Sequence, residues 1–184
     1  MEDAILITVP HSYCNTRSEG HYCDHRAFQG AEILYRLLKS KYPHINIILI
    51  ENTELPRYYV DMNRPESRNT NFRRTIAEYI RTKNILWILD MHSFDVSPMG
   101  RYIKMYFLDN INKSLGEKAV FERIVNMDPF HITIEGGRPD NDIIYVAREN
   151  NIRGMLIEIS ENRQYLSDET LNMYMRWIAD IIPI

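Results

Sequence analysis

The stretch that most constrains this chain is Ile85-Leu86-Trp87-Ile88-Leu89, five apolar residues that stop abruptly at Asp90-Met91-His92-Ser93. A short, wholly apolar run with β-branched and aromatic members reads as a strand buried on both faces of a sheet. Burial on both faces demands helices on both sides, and the rest of the sequence supplies them. Segments 4–9, 45–50, 102–108 and 155–159 are further apolar strand candidates, with a brief one at 130–134. Segments 27–41, 67–81, 115–125, 143–149 and 168–182 read as helices, the last with Asp168 as its N-cap. Strands alternating with helices at this spacing predict an α/β fold: a mostly parallel mixed sheet with helices on both faces, built as one domain over residues 1–184.

Bulk properties narrow what such a domain serves. A net charge of -3 points to neither a nucleic acid nor a membrane surface as partner. No apolar run approaches the roughly 20 residues of a membrane span. The start, Met1-Glu2-Asp3, runs straight into a strand and does not read as a signal peptide. Two cysteines, Cys14 and Cys23, make no disulfide framework, so reduced thiols and a cytoplasmic location are expected. Neither GxGxxG nor GxxxxGK[ST] occurs, which leaves no phosphate-binding loop of those types.

In an open α/β sheet, ligands bind just outside the carboxyl ends of the strands. His11 and His92 stand at two such ends, so both reach one crevice and one ion. Zinc on imidazole nitrogens, with three protein ligands and an open position, is the usual catalytic arrangement, although other divalent ions suit the same donors. For the third donor, the loop after His11 offers Cys14, Glu19, His21, Cys23, Asp24 and His25. Asp24 directly precedes a helix, where it either ligates or caps. Glu158 interrupts the apolar run Met155-Leu156-Ile157-Glu158-Ile159. A carboxylate there needs a partner: a salt bridge to Arg153 or Arg163, or a post as general base for a metal-activated water. Asp90 shares a strand face with His92 and either orients that ring or accepts hydrogen bonds in the core. Asn63 and Arg64 before Pro65 form a polar pair suited to a substrate carboxylate. Arg138, after Gly136-Gly137, is a second candidate for substrate binding.

Taken in order, Val9-Pro10-His11-Ser12, Asp24 before a helix, Asp61-Met62-Asn63-Arg64-Pro65, Asp90-Met91-His92-Ser93, Gly136-Gly137 and Ile157-Glu158-Ile159 resemble the N-formylglutamate amidohydrolase family. That family is similar in fold to zinc carboxypeptidases and aspartoacylases. The resemblance spans nearly the whole chain and departs at Tyr13, where the family usually has glycine. It implies a phosphorylase/hydrolase-like α/β fold, with one zinc ion on His11, Asp24 and His92 and with Glu158 as general base and proton shuttle. Asn63 and Arg64 would bind the substrate carboxylate or polarise its carbonyl. The expected activity is hydrolysis of an amide C–N bond in a small N-acyl, N-formyl-like amino acid or a related carboxylate-bearing substrate. Two alternatives use the same residues: a zinc peptidase or peptidoglycan-type amidase, and a non-catalytic metal- or ligand-binding domain.

Overall fold

Among the described residues, six strands form one sheet in the order β2-β1-β3-β6-β4-β5 in this computed structural model. They are β1 (Asp3–Val9), β2 (Asn46–Glu51), β3 (Asn84–Phe94), β4 (Ile103–Phe107), β5 (Thr133–Gly136) and β6 (Arg153–Ser160). The structure describes residues 1–13, 23–94, 103–107, 120, 122–123, 133–136, 141–162 and 166–184, with β4 and β5 described by their backbone alone. Strands β2, β1, β3 and β6 are parallel, β4 is antiparallel to β6, and β5 is parallel to β4. The expected mixed, mostly parallel sheet is therefore observed.

Among the described residues, four helices flank it: α1 (His25–Lys41), α2 (Asn71–Thr82), α3 (Asp142–Glu149) and α4 (Asp168–Ile181). Helices α1 and α4 cover the face built from Ile5, Ile7, Val9, Trp87, Leu89, Met91, Ile157 and Ile159. Helices α2 and α3 cover the other face, over Ala4, Leu6, Ile85 and Ile88. Side chains alternate along a strand. Asp90, His92 and Glu158 lie between core residues of the first face and so belong to the second. Gly30 lets α1 sit close on β6, since a Cβ there would come within 2.6 Å of Ile159 Cδ1.

Several local expectations are corrected. The segment 67–81 is not one helix. A 3-10 helix, Pro65–Asn69, comes first, and Thr70 then restarts the chain as N-cap of α2 by accepting from the N–H of Arg73. The cap of α4 is Ser167, which accepts from the N–H of Thr170, so Asp168 falls in the first turn. Strand β3 runs on through Phe94, which puts Asp90 and His92 inside the strand rather than after it. The brief strand expected at 130–134 is found, among the described residues, at Thr133–Gly136. Cys23 is disulfide-bonded and no described cysteine is free. The expectation of reduced thiols thus fails at Cys23, because a cysteine count carries nothing about which residues the fold brings together. No helix among the described residues is long and apolar enough to cross a membrane.

Candidate metal centre

Strand β1 delivers His11 through a short turn that Asn52 holds in place. The Asn52 side chain donates to Pro10 O at 3.0 Å, and its backbone N–H donates to Val9 O at 3.2 Å. Asp24 is tied to the same turn, its N–H donating to His11 O at 3.0 Å. It occupies the N-cap position of α1 but makes no capping hydrogen bond with its side chain. Instead Asp24 Oδ2 lies 3.2 Å from His11 Nδ1 and 3.5 Å from His92 Nδ1. The two rings meet edge to face, with centroids 4.9 Å apart. All three residues are buried.

Each imidazole is held from behind by a carboxylate. His11 Nε2 lies 2.9 Å from Asp61 Oδ1, and His92 Nε2 lies 2.9 Å from Asp90 Oδ2. With a cation bound, a proton on each Nε2 would leave both Nδ1 lone pairs for the ion, the carboxylate–histidine pattern that orients metal ligands; without one, Nδ1–H donates to Asp24. Asp90 is fully buried and is itself anchored, accepting from the Thr8 hydroxyl at 2.6 Å and from Asn141 Nδ2 at 2.8 Å. Asn141 Oδ1 in turn caps α3 by accepting from the N–H of Ile144.

The electrostatics favour a cation. Burial disfavours ionised Asp24, but hydrogen bonds from His11 and His92 outweigh it and hold the carboxyl well below the usual carboxylate range. Asp61 behaves likewise, with burial opposed by His11, the N–H of Asn63 and the Arg57 charge. At His92, burial pushes toward the neutral ring, yet the charge of Asp90 and the bond to Asp24 prevail and raise its pKa to about 10. The donor set fits a divalent metal. Ligand atoms at 2.0–2.1 Å from a tetrahedral centre are ~3.3–3.4 Å apart, close to the two separations found around Asp24 Oδ2. Among the described residues, His11, Asp24 and His92 form a buried group with one donor atom each, all within 4.8 Å of one another.

Glu158 is buried on β6 as the register partner of His92, on the same face of the sheet. Asn63 brings its amide to 2.8 Å from His92 Nε2. Its Oδ1 is buried without a hydrogen-bond partner. A protonated Nε2 calls for the amide oxygen at that contact, and in either orientation of the amide one atom of Asn63 is left over. Arg64 Nε is 3.5 Å from Asp61 Oδ2, and Arg57 Nε is 3.7 Å from the same oxygen. Arg138 lies outside the described residues, as do Cys14, Glu19 and His21 among the alternative third donors; His25 is exposed and Cys23 is in a disulfide.

The loop bearing Asn63 is clamped to α3. Asp142 accepts from Arg68 Nε at 2.8 Å and from Arg73 Nη2 at 2.6 Å, and its N–H donates to Asn63 O at 2.9 Å. Arg73 Nη1 also donates to Met62 O at 2.9 Å. Neighbouring residues Asn141 and Asp142 thus hold the two sides of the site, Asp90 and the Asn63 loop. The sequence alone assigns no role to Asp61, Thr8, Asn141 or Asp142. Of these, only Asp61 carries a signal, as the acid that opens the Asp61-Met62-Asn63-Arg64-Pro65 string.

No family model matches the sequence, and no curated protein does. Solved structures do match in fold. The CwlD amidase from Clostridioides difficile, solved in complex with the GerS lipoprotein, superposes with a TM-score of 0.59 at 17% identity, over 96% of this chain and 94% of that one. A metallo-carboxypeptidase from Burkholderia cenocepacia gives 0.65 at 12% identity, over 98% of this chain and 56% of the other. A succinylglutamate desuccinylase from Chromobacterium violaceum gives 0.59 at 11% identity, over 98% and 60%. The chain therefore has the α/β fold shared with these amidase, metallo-carboxypeptidase and desuccinylase structures.

Proposed function

We propose that this protein is a zinc-dependent amidohydrolase that cleaves the amide C–N bond of a small N-acyl amino acid or a related carboxylate-bearing substrate. The observation that carries the reading is the convergence of His11 Nδ1, His92 Nδ1 and Asp24 Oδ2, with a carboxylate behind each ring. A zinc ion on these donors supplies Lewis acidity and makes water a competent nucleophile near neutral pH. Glu158, beside His92 on the next strand, would serve as the general base that accepts a proton from the attacking water and returns it to the leaving nitrogen. Asn63 uses its unpartnered amide atom to bind the substrate next to His92. Arg64 orients the substrate carboxylate, with Arg138 as a further candidate for that task.

Activity of the zinc-loaded protein against a panel of N-formyl and N-acetyl amino acids, read by release of free amine, tests this. Hydrolysis of members of the panel, lost on Glu158→Gln by about 10²–10⁴-fold with zinc still bound, is the expected result. Unchanged turnover in Glu158→Gln refutes the base. Zinc binding with no turnover of any substrate refutes catalysis and leaves a metal-binding domain.

One observation favours a second reading, a peptidoglycan-type amidase. Tyr58 and Tyr59 are exposed on the loop that leads to Asp61, with ring centroids 4.4 Å apart. Such a pair offers a contact surface to a substrate larger than an amino acid. Muropeptides in the same panel separate the two readings.

A further inference from the structure

A capping aspartate normally turns its carboxylate onto the N–H groups of the first helical turn. Asp24 has the chain position for this, and its carbonyl accepts the first helical bond, from Phe28 N at 3.1 Å. Its carboxylate, however, faces His11, His92 and the N–H of Ser93, the last at 3.1 Å. The capping role is taken by a residue from another element. Glu161, directly after β6, accepts from the N–H of Arg26 at 2.9 Å through Oε1. The same oxygen accepts the Ser93 hydroxyl, and the N–H of Glu161 donates to Phe94 O at 3.0 Å. One carboxylate thus joins the start of α1 to the end of β3, the two elements that carry Asp24 and His92. A negative charge at a helix N-terminus is favourable in its own right.

We propose that Glu161 is a positioning residue for the metal centre: it caps α1 in place of Asp24 and leaves the Asp24 carboxylate free to face the two histidines. The proposal rests on the reading of His11, Asp24 and His92 as metal ligands. Without Glu161, the N–H of Arg26 lacks its acceptor, and Asp24 is the residue placed to supply one. An Asp24 turned to the helix is turned away from the imidazoles. The Ser93 N–H, which holds Asp24 from the strand side, loses its own tether at the same time. A cap that only stabilised α1 would change unfolding; a cap that decides where Asp24 faces changes metal affinity as well.

The test is the zinc dissociation constant, measured by competition with a chromophoric chelator, alongside the melting temperature. Glu161→Ala is expected to weaken zinc binding by about 10–100-fold, the usual consequence of losing a residue that supports a ligand. Glu161→Gln keeps an oxygen for the N–H of Arg26 and is expected to restore most of the affinity. Ile76→Val, which trims a core residue on the buried face of α2, is expected to lower the melting temperature and leave affinity unchanged. Glu161→Ala with wild-type affinity and a lower melting temperature overturns the proposal. Should Glu161→Ala not fold, Glu161→Asp decides: it keeps the charge but draws the carboxylate back from the N–H of Arg26, so weaker zinc binding supports the proposal and equal binding overturns it. A wild-type protein that binds no zinc is a different outcome and overturns the metal-centre reading itself.

Discussion

Replacing Asp90 by asparagine preserves the shape of a fully buried side chain and removes its charge. Asp90 accepts three hydrogen bonds, from Thr8, Asn141 and His92. With its NH2 on the side of His92, the introduced amide opposes two donors. Turned the other way, it still accepts from His92 but no longer as an anion. Either way the ring loses the charge that, after burial, is the foremost influence on its protonation, and it becomes a poorer donor. Loss of such a partner weakens metal binding by ~10–100-fold, about 1.4–2.7 kcal/mol. At free zinc near 1,000 times the wild-type dissociation constant, zinc stabilises the native protein by about 4.1 kcal/mol, and the variant by about 1.4–2.7 kcal/mol. For a chain of this size that is a zinc-induced rise in melting temperature smaller by roughly 3–11 °C. Thermal melts of both proteins with and without zinc measure it. An equal zinc-induced rise in the two proteins refutes the claim that Asp90 tunes a ligand.

Other outcomes follow from the same geometry. In chelator-treated protein the folded pKa of His92 is about 10, above its unfolded value. Its stabilisation is therefore complete below pH ~6.5 and is lost as pH rises toward 10, at up to about 1.4 kcal/mol per pH unit. Denaturant melts across that range check this, and zinc affinity, which competes with the same proton, is expected to rise over it. Asp142→Ala strips the buried Arg73 of its carboxylate partner and is expected to cost ~3–5 kcal/mol in urea unfolding. Gly30→Ala places a Cβ against Ile159 and is expected to cost about 1–3 kcal/mol by the same assay, with looser zinc binding because α1 carries Asp24.

The sheet was legible because its strands are apolar runs, and a run buried on both faces admits few other structures. The end of β3 was less so. Asp90-Met91-His92-Ser93 is polar at three of its four positions, and only its pairing with 156–159 of β6 shows that the ladder continues through it. Whether Asp24 caps or faces the histidines is undecidable from spacing, since both roles need an acid just before a helix. The decision lies with Glu161, 137 residues further along. Asp61 was visible in the Asp61-Met62-Asn63-Arg64-Pro65 string, but its partner His11 is 50 residues away, so nothing local marked their contact. The break at Thr70 is hidden because the apolar spacing of Phe72 and Ile76 alone does not show where a helix starts; the capping threonine does.

The central claim is that His11, Asp24 and His92 hold one metal ion. Anomalous diffraction at the zinc absorption edge, from crystals of the zinc-loaded protein, tests it most directly. The account predicts a single peak about 2.0–2.1 Å from Nδ1 of both histidines and about 2.0–2.2 Å from the Asp24 carboxylate. A peak elsewhere, coordination through Nε2 of either ring, or no peak in zinc-soaked crystals contradicts it.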